Sequence, residues 1–384
     1  MRILHTSDWH IGRTFHGHAT LDALRGVLDA LAAQVREHRV DLVLVAGDVF
    51  DSSAPPAAAY PLLTDALVAI RDAGARVVVT SGNHDSAARL GFLSPLLREG
   101  IHVVTDPATI GEPVTIADAH GPVHVYGIPF LEPALVRHLW PEAAVRSQHD
   151  ALVLAMERVR ADAAARGGRS LAVAHCFAAG VEPTPGLERD IQQGGLDVVA
   201  LSAFDGPDYV ALGHIHGRQQ LSERVRYAGA PLHYSFGEGD KPRGSWLVEL
   251  DAEGLASVEW LALPVPRPLV TLRGAFAELL ADPRFTDAEA AWVSAEYTDA
   301  TPELDAMRRL QERFPWCARV EHAPMRRGAD DGRTYAGRVR AARTDAELFD
   351  AFLVHVREGE GASESERVLI HEVIADEVIA EVRA

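Results

Sequence analysis

Cysteine is scarce in this chain of 384 residues, which contains only Cys176 and Cys317. Two cysteines so far apart form neither a CxxC motif nor a disulfide framework, which argues against a disulfide scaffold and against a thiolate zinc site. Their scarcity instead predicts a protein of the reducing cytoplasm. Cys176 directly follows His175, but we expect it to be a small core residue rather than a metal ligand.

Long apolar runs are also missing. No run approaches the ~20 residues that cross a membrane. The N-terminus enters a predicted strand at once, without a basic region before a cleavable apolar segment. We therefore expect a protein that does not associate with a membrane.

Basic residues are in the minority, with 37 Lys and Arg against 55 Asp and Glu and a formal net charge of −18. Taken alone, this balance argues against nonspecific binding to nucleic acid. The hydrophobic content of 47% and the charged content of 24% are typical of a soluble globular protein. The length is sufficient for two domains.

Several predicted strands end on side chains that commonly bind metal ions. Each strand is a short apolar run, and the residues that follow the runs are Asp8 and His10, Asp48, Asn83 and His84, His175, and His214 and His216. In an α/β sheet, ligands collect at the carboxyl ends of the strands. Polar residues at one strand end are usually a solvated turn, but their presence at all of these strand ends in one chain predicts a metal site.

The chemistry of these residues favours two ions. Mixed Asp, Asn and His ligands suit Mn²⁺, Fe²⁺ or Zn²⁺ better than Ca²⁺ or Mg²⁺, and there are too many ligands for one ion. Two ions roughly 3.5–4 Å apart can activate water and stabilise both oxygens of a phosphodiester displacement. We expect Asp48 to bridge the ions. We expect His84 to act toward the leaving oxygen, with Asp85 orienting its ring.

Strands and helices alternate in the first part of the chain, which predicts a largely parallel sheet with right-handed crossovers. Helices are predicted over 21–38 and over 148–166, and a further helix is predicted between them, from after Pro56 to about Gly74. The strands that end at His175 and His214 suggest a second sheet that meets the first over one site. The runs at 225–228, 245–250 and 257–260 predict a closing antiparallel meander.

A glycine-rich loop follows the first strand. We expect its residues Arg13, Phe15 and His16 to contact the substrate. His16 and His18 could also bind metal, although this is the less favoured interpretation.

Pro264, Pro266 and Pro268 mark the end of the first domain at residue 268. Residues 269–323 alternate strand and helix and predict a small α+β domain. A linker over 324–343 follows and is rich in arginine, including Arg326 and Arg327. This linker is either a solvated loop or a local contact with a phosphate backbone.

Residues 344–384 predict two short amphipathic helices. Their apolar side chains include Leu348, Phe349 and Phe352 on the first, and Leu369, Val373 and Ile374 on the second. Two such helices cannot fully bury their apolar stripes against each other. They dock on their own chain or, as we favour, bind a partner.

Taken together, these motifs resemble the calcineurin-like metallophosphoesterase superfamily and, within it, the SbcD family of nuclease subunits, which is related to the Mre recombination nucleases. The resemblance covers essentially the whole chain and rests on Asp8-Trp9-His10, Gly12-Arg13-Thr14, Gly47-Asp48-Val49-Phe50-Asp51, Gly82-Asn83-His84-Asp85-Ser86, Glu188-Arg189-Asp190-Ile191 and Gly213-His214-Ile215-His216. It implies an α/β fold with four layers, in which a double-sheet sandwich is flanked by helices.

The resemblance also implies roles for the site residues. Asp8, His10 and His216 would hold one Mn²⁺. Asn83, His175 and His214 would hold the other, with Asp48 shared and His84 acting on the phosphate. One departure concerns Asp51, because the Mre nucleases have a histidine at this position.

The activity implied by the resemblance is an ATP-driven exonuclease that degrades double strands 3′ to 5′, together with a hairpin-opening endonuclease. It would process DNA ends and replication or recombination intermediates. Its partner would be an SbcC-type coiled-coil ATPase held by the C-terminal helices, in a heterotetramer that contains a homodimer of this chain. Residues 270–322 would guide DNA.

Two other functions remain open from the sequence. One is a phosphatase or phosphodiesterase that acts on a small molecule or a protein, although such an enzyme has no need of an extension after 269. The other is a scaffold without catalysis, which the complete set of candidate ligands argues against.

Overall fold

The computed structural model describes residues 1–92, 94–97, 100–180, 198–324, 335–357 and 361–383. The chain divides into two compact units. The first comprises residues 1–271 with 287–294, and the second comprises 272–286 with 295–384. Within the described ranges, no helix combines the length and the apolar character that a membrane span requires.

The strands alternate with helices through the first unit and recur in the second. In chain order they are β1 (Arg2–Thr6), β2 (Thr14–Phe15), β3 (His18–Ala19), β4 (Leu42–Ala46), β5 (Arg76–Thr80), β6 (Ile101–Val104), β7 (Val114–Asp118), β8 (Gly121–Gly127), β9 (Arg169–His175), β10 (Tyr209–Gly213), β11 (Gln219–Gln220), β12 (Val225–Tyr227), β13 (Gly244–Leu250), β14 (Leu255–Ala262), β15 (Leu269–Gly274), β16 (Trp292–Tyr297) and β17 (Cys317–His322).

The α-helices include the three predicted between residues 21 and 166. In chain order they are α1 (Leu21–Glu37), α2 (Ala59–Asp72), α3 (Ala87–Leu90), α4 (Pro133–Val136), α5 (Gln148–Arg166), α6 (Phe276–Ala281), α7 (Ala306–Gln311), α8 (Tyr335–Ala341), α9 (Asp345–Val356) and α10 (Glu364–Arg383).

Two six-stranded sheets form the first unit, with the strand orders β14-β13-β1-β4-β5-β6 and β11-β12-β10-β9-β8-β7. The strands that end at the candidate ligands run parallel, since β1 pairs with β4, β4 with β5, and β9 with β10 in parallel register. The predicted parallel arrangement is confirmed. Because parallel neighbours end at the same edge, the residues that follow them lie close together.

Side-chain alternation assigns each strand face to a layer. Leu42 and Leu44 of β4 pack in one cluster with Leu171 and Val173 of β9, so this cluster fills the space between the two sheets. The alternate residues of β4 pack with α1 and α2, and those of β9 pack with α5. The resulting order is helix, sheet, sheet, helix, which confirms the predicted four-layer sandwich.

His5 of β1 joins the two sheets by hydrogen bonds across this apolar layer. Its Nε2 lies 3.1 Å from the carbonyl oxygen of Leu212, and its Nδ1 lies 2.9 Å from the hydroxyl of Tyr209. A carbonyl can only accept, so Nε2 carries the proton and Nδ1 accepts from Tyr209. Burial lowers the pKa of His5 to about 3, which keeps the ring neutral in the folded protein.

The predicted antiparallel meander is confirmed for 245–250 and 257–260 but is wrong for 225–228. β12 lies in the second sheet and runs parallel to β10, whereas β13 and β14 pair antiparallel in the first sheet. Alternation identifies a strand without identifying its neighbours. Tyr227 packs in the core with α5, and Val248 packs between the sheets, so burial of these side chains decides which sheet each strand joins.

Beyond the first domain, the predicted order of strand, helix, strand, helix and strand over 269–323 matches β15, α6, β16, α7 and β17, and the three strands form one sheet. The predicted linker over 324–343 contains a helix, α8, which the sequence analysis missed. Tyr335 of α8 stacks on His355 of α9 with ring centroids 4.3 Å apart, so packing on a later element stabilises this polar segment as a helix. The predicted helical pair corresponds to α9 and α10.

Candidate metal centre

The candidate ligands converge at the carboxyl edge of both sheets. Their ligand atoms form three groups, each with all atoms within 4.8 Å of one another: Asp8 with His10 and His216, His10 with Asp48 and His84, and Asp48 with His175 and His214. Segments separated by more than a hundred residues therefore meet at one point, as the strand ends predict.

Backbone conformations at these strand ends are unusual. Asp8, His10, Asp48 and His214 all have positive φ values, of 54°, 45°, 48° and 108°. Residues other than glycine rarely adopt this conformation, and it persists where the surroundings hold it. Here the amide of Asp8 donates to the carbonyl of Gly47 at 3.1 Å, and the amide of His10 donates to the carbonyl of Asp48 at 3.0 Å. These bonds turn the side chains away from the strands and into the site.

Glycines before the ligands let the two sheets approach closely. A Cβ on Gly213 would lie 2.9 Å from Nδ1 of His175 and 2.9 Å from the carbonyl carbon of Ala46, and closer still to the oxygen of that carbonyl. A Cβ on Gly82 would lie 2.8 Å from Cγ of Asp48. The glycines that precede Asn83 and His214 are therefore a requirement of packing around the site.

One half of the site consists of Asp8, His10 and His216, which are buried. The Nε2 atoms of the two histidines lie 3.0 Å apart. Burial raises the pKa of Asp8 to about 6, against the charges of His175 and His216, which lower it. Burial also lowers the pKa of His10 to about 4, so its ring is neutral near pH 7 and can act as a ligand.

The other half is built around Asn83, whose Oδ1 lies 3.0 Å from Nε2 of His175 and 3.0 Å from Nδ1 of His214. Nδ1 of His175 lies 3.0 Å from the carbonyl oxygen of Ala46. That carbonyl can only accept, so Nδ1 carries a proton and Nε2 is the ring nitrogen that faces the site. Burial lowers the pKa of His214 to about 3.

Asp48 lies between the two halves. Its Oδ2 is 3.3 Å from Nε2 of His175 and 3.7 Å from Nε2 of His10. Burial acts to raise its pKa, but the charge and the hydrogen bond of His175 outweigh burial and hold the pKa well below the usual range. Asp48 is therefore an anion that faces both sets of ligands.

His84 occupies the open side of the site, with its ring centroid 4.8 Å from that of His10. Its Nδ1 lies 2.8 Å from the carbonyl oxygen of Asp51 and must carry a proton. The prediction that Asp85 orients this ring is wrong. The Asp85 carboxylate instead accepts the amides of Gly82 at 2.9 Å and of Phe50 at 2.8 Å, with Val49 a third donor at 3.0 Å.

Asp85 thus joins the loop after β5 to the loop after β4. The amides at these strand ends have no ladder partner, and a carboxylate between them satisfies several at once. Burial raises the pKa of Asp85 to about 6, and the nearby Asp48 raises it further, although the three amides lower it. Its role is therefore to position the loops that present Asp48 and His84.

Arg13, one of the residues predicted to contact substrate, lies beside the site. Nη1 of Arg13 is 3.2 Å from Oδ1 of Asp51, and the guanidinium stacks over the ring of Tyr234 at 4.9 Å. His16 is exposed at the turn between β2 and β3. The metal-ligand groups include neither His16 nor His18.

Phe15 does not have the predicted role, because it is only 2% exposed. It packs against Phe236 and Trp292, with ring centroids 5.3 Å and 5.0 Å away, and so supports the β2–β3 hairpin. An aromatic side chain in a glycine-rich loop cannot be classified from sequence as buried or available. Arg326, Arg327 and the 188–191 motif lie outside the described residues.

Glu238, which no sequence pattern singles out, is fully buried beside the candidate ligand His216. Its Oε1 lies 3.5 Å from Nδ1 of His216, and its Oε2 lies 3.3 Å from Nη1 of Arg243. The residue stands in the run Gly237-Glu238-Gly239-Asp240-Lys241, which has the composition of a surface turn. No local pattern distinguishes it from an exposed glutamate.

The donor set fits divalent metal ions. It combines a carboxylate anion, an amide oxygen and imidazole nitrogens, all converging in a largely buried space. Carboxylates and imidazoles at this density repel or lack partners unless cations bind between them. Asp8, His10, Asp48, Asn83, His175, His214 and His216 are the residues that could hold such ions.

Comparison with known proteins agrees with this geometry. Residues 1–218 match the calcineurin-like phosphoesterase family, and residues 265–357 match the family described as type 5 capsule protein repressor C-terminal domain. The chain is 32% identical over 333 residues to the SbcD subunit of the nuclease SbcCD from Bacillus subtilis, covering 82% of this chain and 84% of that protein. The chain belongs to the SbcD family of calcineurin-like metallophosphoesterases.

Other SbcD-family members show similar agreement. The chain is 33% identical over 326 residues to the SbcD protein of Escherichia coli K12, covering 81% of each chain. It is 38% identical over 293 residues to that of Rhodobacter capsulatus, covering 71% of each chain. As an SbcD-family metallophosphoesterase, the chain is a hydrolase of phosphoesters. Divalent ions in such a site act as Lewis acids and lower the pKa of water.

Proposed function

We propose that this chain is the nuclease subunit of an SbcCD-type complex and hydrolyses phosphodiester bonds of DNA with two Mn²⁺ ions. The observation that carries the proposal is the convergence of the Asp, Asn and His ligand groups at one sheet edge. The curated relatives are named as a subunit of the nuclease SbcCD, which supports the substrate class.

Each ion would have its own set of ligands. Asp8, His10 and His216 would hold one ion, and Asn83, His175 and His214 the other. Asp48 would be shared, because its carboxylate lies near a histidine of each set. The neutral state of His10 and His214 near pH 7 supports this assignment, since a protonated imidazole cannot bind a metal ion.

His84 is proposed to act on the phosphate. Its Nδ1–H is held by the carbonyl of Asp51, so a second proton on Nε2 would point to the open side of the site. From there it could donate a hydrogen bond or a proton to the leaving oxygen. The ring is half-buried, unlike the fully buried His10 and His175, and substrate can therefore reach it.

The substrates proposed are DNA duplex ends, degraded 3′ to 5′, and DNA hairpins, opened by endonuclease cleavage. His16 is exposed and Arg13 lies next to Asp51, so both could contact the phosphate backbone. The residues 269–323 are proposed to guide DNA. Arg326 and Arg327 remain a sequence-based prediction for the same contact.

The partner proposed is an SbcC-type coiled-coil ATPase that binds α9 and α10. Phe349 and Phe352 on α9 are 53% and 47% exposed, and Leu369 and Val373 on α10 are 58% and 62% exposed. Large apolar side chains on two adjacent helices are typical of a surface that a partner covers. We further propose a homodimer within a heterotetramer, located in the cytoplasm, where Cys176 and Cys317 would remain as the free thiols they are here.

Cleavage of linear duplex and hairpin DNA tests the nuclease function. The purified chain would be incubated with Mn²⁺ or with EDTA, beside Asp48→Asn, which removes the shared charge. Asp118→Asn is the matched control, because the carboxylate of Asp118 pairs with Arg169 and not with a ligand. Cleavage lost in EDTA and in Asp48→Asn, but retained in Asp118→Asn, would support the proposal. No cleavage even after an SbcC-type ATPase and ATP are added would refute it.

A further inference from the structure

Two ligand histidines of the site each face a carboxylate that is not itself a ligand. Nδ1 of His10 lies 3.3 Å from Oδ1 of Asp51, and Nδ1 of His216 lies 3.5 Å from Oε1 of Glu238. Both Nδ1 atoms and Oε1 of Glu238 are buried and have no closer hydrogen-bond partner among the residues that the structure describes. The opposite nitrogens of the two rings, Nε2, lie 3.0 Å apart inside the site.

Glu238 is held firmly in place. The backbone amide of Tyr234 donates to its Oε2 at 3.2 Å, and Arg243 lies 3.3 Å from the same oxygen. Arg243 also donates to the backbone carbonyl of His216 at 2.6 Å. The Glu238–Arg243 pair is therefore connected to both the side chain and the backbone of His216. This leaves Oε1 directed at the ring with no other group to bind.

Asp51 makes a similar arrangement on the other ring. Its side chain is 32% exposed, and Oδ1 lies between Nδ1 of His10 and Nη1 of Arg13, which is 3.2 Å away. Its backbone carbonyl accepts from His84. One residue thus contacts a metal-ligand candidate, the proposed phosphate-acting histidine and a cation beside them. This gives a role to the position at which the chain departs from the Mre nucleases.

The second set of ligands is supported differently. Nδ1 of His175 lies 3.0 Å from a neutral acceptor, the backbone carbonyl oxygen of Ala46. Its other nitrogen and Nδ1 of His214 both face Asn83, which is itself a ligand candidate. A carboxylate behind an imidazole fixes the tautomer and raises the basicity of the nitrogen that binds the metal, and it does so more strongly than a neutral acceptor because of its charge.

We propose that Asp51 and Glu238 are positioning residues that hold His10 and His216 with Nε2 toward the ion, and that the Asp8–His10–His216 site is therefore the tighter of the two. This inference rests on the two-ion assignment proposed above. It concerns which site fills first and what orients its ligands, neither of which follows from the ligand set itself.

Calorimetric titration of Mn²⁺ into the metal-free full chain tests the inference. We expect two binding steps of different affinity. Asp51→Asn and Glu238→Gln keep the side-chain volume but remove the charge, and each should weaken the tighter step about 10–100-fold while leaving the weaker step unchanged. His214→Ala should abolish the weaker step only, which assigns each step to a site.

Two control variants separate positioning from general structural damage. Asp118→Asn removes a carboxylate paired with Arg169, with Nη1 and Oδ2 2.9 Å apart, and should change neither step. Arg13→Met removes the second partner of Asp51 but keeps the contact with His10, and should also leave the tighter step intact. Asp51 is partly exposed, so Asp51→Asn should fold even if Glu238→Gln destabilises the protein by leaving Arg243 without its partner.

A spectroscopic measurement supplies an independent readout. In protein labelled with ¹⁵N-histidine and loaded with diamagnetic Zn²⁺, the Nδ1–H resonances of His10 and His216 should move in Asp51→Asn and Glu238→Gln respectively. The resonance of His175 should stay in place. Variants that weaken both binding steps equally, or neither, would overturn the positioning role alone. A chain that binds no ion would overturn the proposed metal nuclease as well.

Discussion

Replacement of Gly213 by alanine should disrupt the contact between the sheets directly behind the metal centre. Gly213 ends β10, and its added Cβ would lie 2.9 Å from the carbonyl carbon of Ala46 on β4 and 2.9 Å from Nδ1 of His175 on β9. Optimal carbon–carbon separation is roughly 3.5–4.0 Å. The oxygen of the Ala46 carbonyl would lie closer still, so the backbone of Ala46 or the ring of His175 must move by at least about 0.6–1.1 Å. Neither is the free end of a flexible side chain.

The cost follows from these two displacements. Overpacking of a buried site costs about 1–3 kcal/mol. Loss of the hydrogen bond between Nδ1 of His175 and the carbonyl of Ala46 adds roughly 0.5–1.5 kcal/mol. We expect the free energy of unfolding to fall by about 2–4 kcal/mol, a large part of the roughly 5–15 kcal/mol of a typical protein. Mn²⁺ affinity should fall too, because the displaced ring is a proposed ligand.

Urea unfolding in EDTA measures the stability, and calorimetric titration of Mn²⁺ measures the affinity. Gly26→Ala is the matched control. Gly26 is exposed within α1, and nothing lies within 4 Å of its added Cβ. This change should stabilise the protein by about 0.5–1 kcal/mol through helix propensity. Gly213→Ala with unchanged stability and unchanged affinity would refute the claim that close approach of the sheets depends on this glycine.

Three further predictions concern the core, the chemistry and the tail. Because burial holds the pKa of His5 at about 3, against its usual 6.5, only the unfolded chain takes up this proton between these values. The free energy of unfolding therefore falls as the pH drops below 6.5, by up to about 1.4 kcal/mol per pH unit from His5 alone. Urea unfolding at several pH values should show that this contribution is absent in His5→Gln. His84→Gln should retain Mn²⁺ affinity by calorimetry but cleave DNA about 10²–10⁴-fold more slowly, and normal cleavage would contradict the role of His84. Phe352→Asp should abolish co-purification with an SbcC-type ATPase, whereas the exposed polar control His371→Asp should not. Retained association in Phe352→Asp would exclude α9 as the contact.

The charge balance of the chain does not decide its substrate. The net charge of −18 argues against nonspecific nucleic-acid binding, yet the proposed site would bind a phosphodiester through metal ions at one point. Long-range attraction and local coordination are separate effects, since exposed charges are screened beyond a Debye length of ~8–10 Å. An acidic protein can therefore hold a polyanion at a metal pair.

The convergence of the candidate ligands could be predicted from sequence because the information that places them is local. An apolar run indicates a buried strand, and its carboxyl end is where a parallel sheet collects ligands. Asp48 lies two residues beyond the end of β4, and His175 ends β9, so these strands place both side chains at the sheet edge. The same locality explains why the boundaries of α1 and α5 match their predicted ranges closely.

What only the tertiary structure decided is which groups from distant segments come to face each other. Asp85 bonds to the amides after β4 rather than to the adjacent His84, and Phe15 is buried by Phe236 and Trp292. Glu238 reaches His216 only because the turn after β12 folds back beneath the site. Spacing along the chain determines where a side chain leaves its strand. The partner that satisfies it depends on how both sheets pack, and no short stretch of sequence contains that information.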